Sequence, residues 1–255
     1  MKGNIFVLTF AVLLTTLPGS LILAADYDAV KAKLESAMTA DVRTSEEIDR
    51  DRNRKPVETL EFFGLRDDMK VVELFPGSGW YTKLLAPVLA ENGEFYIAYG
   101  TARALAGVKG QPGFEKVQAI AGDSKISRAE GARFYTASNI DLGITDVDMV
   151  LTFRNYHNLD APSRAALNQS VFKALKSGGI YAVVDHTRRH MQEDNYENRR
   201  RLDPVLAIKE ILAAGFEFVD YSPLHYRPDD ELIYEVGRKT VTGNTDRWTL
   251  KFRKP

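Results

Sequence analysis

Short apolar runs alternate along the chain with stretches whose apolar residues recur every three or four positions. The runs read as strands: Lys70–Phe75, Glu94–Tyr99 after the turn Asn92-Gly93, Val147–Phe153, Ile180–Val184, Phe216–Tyr221 and Trp248–Phe252. VDMVLTF is almost wholly apolar, as a strand buried on both faces must be. The helical stretches carry their own punctuation. Residues from Asp28 to Leu65 read as helical, with Pro56 suited to a first turn and Gly64 to an end. Tyr81–Leu89 follows as a helix. Asp160 with Pro162 opens another, with Leu167, Val171, Ala174 and Leu175 on one face and Gly178-Gly179 as its stop. Asp203-Pro204 opens a further one, with Val205, Ile208 and Leu212 on one side and Gly215 as its cap. Thr101–Ser138 shows the weakest pattern and suggests a helix and a short strand around Ala132–Thr136. The alternation predicts an α/β fold: a mostly parallel central sheet with helices on both faces. In such a sheet ligands bind at the carboxyl ends of the strands.

One of those ends is VVELFPGSGWY, Val71 to Tyr81, where a strand runs into Gly77 and Gly79 and then into two aromatics. Glycine lets backbone N–H groups approach a ligand, because no Cβ intervenes; a plain strand-to-helix turn has the same look.

The first 25 residues form a separate unit. Lys2 is their only charge, an apolar run broken by Pro18-Gly19-Ser20 follows, and Ala24-Ala25 precede Asp26. This predicts an export signal over residues 1–25 and a periplasmic or otherwise exported protein without membrane insertion once the signal is removed. A retained anchor is the rival reading. A helical segment then spans 26–65 and an α/β domain 66–255. Formal charge is -1, with no charged tail, so nucleic acid and anionic membrane are not expected partners. There are no cysteines, which excludes disulfides, thiolate catalysis and cysteine-ligated zinc.

Five segments stand in a telling order: ELFPGSG, VDMVLTF, FKALKSGGIYAVVDH, ILAAGFEFVD and DRWTLKFRKP. In that order they resemble the class I S-adenosylmethionine-dependent methyltransferases. More narrowly, they resemble exported predicted methyltransferases with an E-L-x-P-G-x-G-W-Y loop, an N-Y-H segment and a K-F-R-K-P end. The resemblance covers roughly residues 42–255. It implies a Rossmann-like methyltransferase fold with an antiparallel C-terminal strand, S-adenosyl-L-methionine as cofactor and a small-molecule acceptor. It also implies that Glu73, Pro76, Gly77, Ser78 and Gly79 line the methionine end of the cofactor, with Thr101 and Asn139 as further cofactor-binding candidates. Two departures accompany it. Phe75 replaces the first glycine of the acid-x-Gly-x-Gly-x-Gly loop, and Ala98-Tyr99-Gly100-Thr101 has no acid for the ribose hydroxyls.

Counting the short strand around Ala132–Thr136, Phe153-Arg154-Asn155-Tyr156-His157 follows the fourth strand and Asp185-His186 ends the fifth. His157 reads as a general base, its ordinary pKa lying near neutrality, or as a histidine that packs at the helix beginning at Asp160. Tyr156, Asp185 and His186 complete the candidate catalytic set, Tyr156 as a pocket wall. His186 and His190 with Asp185 and His157 would suit a metal only if the segment after Val184 were helical; no metal is expected. The run Arg199-Arg200-Arg201 reads as a solvated face, with an anion clamp for a substrate carboxylate or phosphate as its alternative. Asp51-Arg52-Asn53-Arg54 reads as a lid or as a charged helix surface. A binding module that keeps the fold without transfer chemistry stays open. A nicotinamide enzyme is disfavoured, since the loop lacks the third glycine and no acid follows the second strand.

Overall fold

The computed structural model describes residues 19–255, so most of the expected leader lies outside the described residues. Among those described, no helix is long and apolar enough to cross a membrane. Four helices come first: α1 (Gly19–Met38), α2 (Ser45–Asp49), α3 (Asp51–Arg54) and α4 (Pro56–Phe63). Thr44 and Glu47 form a reciprocal capping box at α2. Pro56 occupies the first turn of α4, and Gly64 closes it at φ +80°.

The rest alternates: β1 (Lys70–Leu74), α5 (Thr82–Leu89), β2 (Glu94–Ala98), α6 (Ala102–Val108), β3 (Gln118–Ile120), β4 (Lys125–Ser127), β5 (Thr136–Ser138), β6 (Val147–Phe153), α7 (Ala161–Ala174), β7 (Leu175–His186), α8 (Pro204–Ala213), β8 (Glu217–Ser222) and β9 (Arg247–Arg253). Seven strands form one sheet in the order β3-β2-β1-β6-β7-β9-β8. Pairing is parallel from β3 through to β7, and β9 runs antiparallel between β7 and β8. Strand order reverses between β1 and β6, which creates a crevice above their carboxyl ends.

Successive strand residues serve opposite faces. Val71, Met149 and Leu151 join Val30, Leu34, Leu60 and Leu84 on one side. Val72, Val147 and Val150 join Leu167, Val171 and Ile211 on the other. The period of two thus fills two cores, which is why β6 is almost wholly apolar. Asp160 and Asp203 cap α7 and α8 as their positions suggest, each accepting a backbone N–H at 2.9 Å.

Three expectations are corrected. Helix α7 ends at Ala174 rather than at Gly178-Gly179, because Leu175 already pairs with Val147 in the sheet. The side of α8 that carries Val205, Ile208 and Leu212 is not its buried one: Val205 is 51% and Leu212 41% exposed, and the helix buries Ala207 and Ile211 instead. The weak region holds three short strands, and the strand expected around Ala132–Thr136 begins only at Thr136. The helix after Val184 on which the metal reading was conditional does not form, since the segment is strand through His186.

Candidate active site

At the carboxyl ends of β1, β2, β3 and β6 stand Phe75, Tyr99, Ala121 and Arg154, all non-glycine residues with φ between +53° and +66°. Left-handed backbone is costly for residues with a Cβ, and such residues gather where function fixes the chain. Phe75 therefore keeps the backbone shape of the glycine it replaces. Its ring lies 5.3 Å from that of Tyr99. Together with Gly100, Thr101, Ile120 and Ala121 they line a cleft of about 470 Å³. A Cβ on Gly77 would meet nothing within 4 Å, whereas one on Gly79 would stand 3.4 Å from Ala104 of α6. The two loop glycines thus differ: Gly77 borders open space, and Gly79 lets α6 pack.

Glu73 is buried and accepts a hydrogen bond from Thr82 Oγ1 at 2.6 Å, which ties β1 to α5. Burial pushes its carboxyl up to about 7, although the Thr82 hydrogen bond and the charge of Arg54 pull the other way. Pro76 is buried and its carbonyl accepts from Gly79 N–H, while Ser78 is exposed. Asn139, also left-handed, lines a neighbouring cleft with Ala119–Ser124 and is not brought to the Gly77 loop.

On the other side of the crevice a cavity of about 660 Å³ opens over β6 and β7. His157 and His186 line it, their ring centres 5.6 Å apart. Asp185, wholly buried behind them, accepts the His157 N–H at 2.8 Å, the His186 N–H at 2.7 Å and the His157 Nδ1. Carboxylate oxygens only accept, so His157 carries its proton on Nδ1 and presents a bare Nε2. Nε2 has no hydrogen-bond partner among the described residues. His186 differs. Its Nδ1 meets Thr245 Oγ1 at 2.9 Å, and burial, with Arg247 and His157 adding to it, holds its pKa well below 6.5. It is neutral at ordinary pH.

Tyr156 is turned away from this cavity. Its hydroxyl donates to Glu210 at 3.2 Å and accepts from Asn168 at 2.8 Å, within the layer of α7 and α8. His190 is also elsewhere, held by the α8 cap Asp203 at 2.9 Å. Of the residues weighed as metal ligands, His190 thus stands apart from His157, Asp185 and His186, and no group of three or more His, Asp or Glu is placed to hold a metal among the described residues.

The arginine run splits three ways. Arg201, 1% exposed, forms a buried double hydrogen bond with Asp230; Arg200 pairs with Glu235; Arg199 faces the cavity. Arg201 departs from a solvated face because Asp230 and the Tyr234 and Thr187 carbonyls satisfy it.

Several site residues were named in the sequence only as members of a segment, without a role of their own. Asn155 Nδ2 donates to the Phe75 and Phe153 carbonyls, both at 3.1 Å, and so stitches β1 to β6 across the crevice. Tyr81 stacks on Phe153 with ring centres 3.5 Å apart. Trp80 donates from Nε1 to the Glu47 carbonyl at 2.9 Å, and Lys83 pairs with Glu47 at 2.7 Å, so the Trp-Tyr of the loop fastens α2 above it. The Arg54 guanidinium lies 4.2 Å from the centre of the Trp80 ring. Arg247, on β9, donates to the Asn53 carbonyl.

No family model matches the sequence, and a search of curated proteins finds no match either. Solved structures do match in fold. A SAM-dependent methyltransferase from Aquifex aeolicus superposes with a TM-score of 0.55 at 14% identity, over 87% of this chain and 97% of that one. The [4+2]-cyclase SpnF gives 0.56 at 16%, over 90% and 93%. The glycopeptide N-methyltransferase MtfA gives 0.51 at 16%, over 83% and 100%. The chain has the Rossmann-like fold of the SAM-dependent methyltransferases.

Proposed function

We propose that this protein transfers a methyl group from S-adenosylmethionine to a small-molecule acceptor in the cell envelope. The observation that carries the reading is the Asp185–His157 pair, whose free Nε2 faces a cavity joined to the β1 loop through Asn155. The residues present suit the cofactor. Gly77 and Gly100 leave open space where a Cβ would stand, and the Phe75–Tyr99 cleft has the apolar walls and the size for a nucleoside. Phe75, Gly77, Tyr99 and Thr101 would hold it, with Thr101 offering a hydroxyl where an acid is expected. Bound there, S-adenosylmethionine supplies an electrophilic methyl group.

The chain's own residues do the rest. His157 Nε2 accepts a proton from an acceptor O–H or N–H as that atom becomes a nucleophile, and Asp185 stabilises the imidazolium. Neutral His186 and the stacked Tyr81–Phe153 pair wall the site and exclude water, and Asn155 fixes the distance between the two halves. Tyr156 has no part in the chemistry.

The second reading is a module that binds small molecules without methyl transfer. The lack of an acid after β2 favours it, and SpnF, named for a different reaction, shows that the fold alone does not fix the chemistry.

Two measurements test the first reading. Equilibrium dialysis with labelled S-adenosylmethionine should show saturable binding; none at millimolar cofactor would defeat it. His157→Ala should lower the transfer of labelled methyl into a small-molecule fraction by about 10²–10⁴-fold, with cofactor affinity unchanged. If transfer falls only in step with the folded fraction, His157 is structural.

A further inference from the structure

Seven arginines line the cavity over His157 and His186, and no acidic side chain does. Two of them are neutralised, Arg133 by Asp194 and Arg200 by Glu235. Arg50, Arg128, Arg154, Arg199 and Arg247 have no ion-pair partner among the described residues. Such a cluster is unusual, because a buried cation without a counter-ion forfeits hydration and gains nothing in return.

The cluster is also built. Arg247 is 5% exposed, and its Nε finds no acceptor among the described residues. Behind it Arg54 leaves Nε and Nη1 without acceptors as well. Burial first, and then the neighbouring charges of Arg154 and Arg50, lower the pKa of Arg247 to about 9. Arg154 is fixed by its left-handed backbone and by its N–H, which donates to the Val184 carbonyl at 2.7 Å. Arg50 sits where it does because Gly243 has no side chain: a Cβ there would stand 2.5 Å from Arg50 Nη1. These guanidinium groups come from distant parts of the chain, before α3, after β6, before α8 and at the start of β9.

The proposed cofactor does not offset this charge. S-adenosylmethionine carries a sulfonium, an ammonium and one carboxylate, so loading it adds positive charge beside the arginines. We infer that the cavity recognises a small molecule bearing at least two negative charges on phosphate or carboxylate groups, held by Arg154, Arg199 and Arg247, and that this anion is the methyl acceptor. The first part rests on the cavity alone; the second rests on the methyltransferase reading. Guanidinium forks bind either oxyanion with paired N–H donors, which an ammonium cannot do.

The test is a calorimetric titration of the cofactor-free protein with pyrophosphate and, separately, with citrate, each at constant ionic strength set with chloride. Labelled S-adenosylmethionine binding is measured on the same preparations. At least one anion should bind the wild type saturably. Arg247→Gln should weaken it about tenfold or more, equal to about 1.4 kcal/mol. Arg199→Ala, an exposed change that leaves the core untouched, should weaken it about threefold or more. Preference for pyrophosphate identifies a phosphorylated ligand, and preference for citrate a polycarboxylate. If neither anion binds, or if binding is unaltered in both variants, the inference is overturned. Anion binding without cofactor binding would overturn the methyltransferase reading and leave the anion site standing.

Discussion

The two sides of the β1/β6 crevice solve recognition by different means. Over β1, β2 and β3 the walls are backbone, two aromatic rings and apolar strand ends, and the one acid, Glu73, is turned inward onto Thr82. Over β6, β7 and β9 the walls are arginine and histidine, and the one acid, Asp185, is engaged by three N–H groups. Both acids stand near the carboxyl ends of strands of one sheet, β1 and β7 with β6 between them, and both are buried, yet their surroundings differ in kind. Glu73 has a hydroxyl and a more distant Arg54; Asp185 has imidazole and two amides. Shape selects on the first side and charge on the second.

The comparison breaks most visibly at Asp185. Asp185→Asn keeps the volume but places an NH₂ where an oxygen accepts, so His157 loses the contact that sets its tautomer. Methyl transfer should fall by about 10²–10⁴-fold, with cofactor affinity unchanged because the Phe75–Tyr99 cleft is untouched. Equal turnover by variant and wild type would remove the pair from the chemistry.

At Glu73 the effect is on stability, and its sign follows from the raised value. A folded pKa of about 7 against an ordinary 4.5 means that the unfolded chain releases this proton first. The contribution is complete below pH 4.5 and is lost as pH rises through 7, a swing on the order of 3 kcal/mol. Glu73→Gln should flatten that part of the stability curve in denaturant titrations between pH 4.5 and 7. His186 and His225 have lowered values and slope the other way, losing stability as pH falls below 6.5, and they cancel in the difference between the two proteins. A difference that does not vary with pH would refute the raised value.

Gly77 and Gly79 sharpen the shape side. Both have positive φ, so alanine at either carries backbone strain of about 1–2 kcal/mol. Gly77→Ala should in addition weaken S-adenosylmethionine binding about tenfold, whereas Gly79→Ala should chiefly lower the melting temperature through α6. Smallest of all is Tyr156→Phe. It removes hydrogen bonds with Asn168 and Glu210, should cost about 1 kcal/mol, and should leave the transfer rate alone.

The strands, the caps at Asp160 and Asp203, and the gathering of Gly77, His157, Asp185 and His186 at one edge were legible because periodicity and turn chemistry are local. Other features needed the third dimension. Strands β3, β4 and β5 have three residues each, too few to display a period. Helix α8 carries two candidate apolar sides, and only its neighbours decide that Ala207 and Ile211 are the covered pair. Tyr156 and His157 are adjacent in sequence, but the short 3₁₀ turn Tyr156–Asn158 sends one into the core and the other to the cavity. The arginine cluster was least legible, since Arg50, Arg154, Arg199 and Arg247 lie far apart along the chain.

Helices α2 and α3 have five and four residues, too few to persist on their own, so their order is borrowed from Trp80, Lys83 and the Arg43–Asp51 pair. Residues 44–54 should thus open locally at lower free energy than the buried strands β1 and β6. Amide hydrogen exchange should therefore be fast at Ser45–Arg54 and slow at Val71–Leu74. Release of this segment would carry Arg50 away from the cavity and Arg54 away from the Trp80 ring in one step, so a ligand held by Arg50 should slow amide exchange across all of Ser45–Arg54.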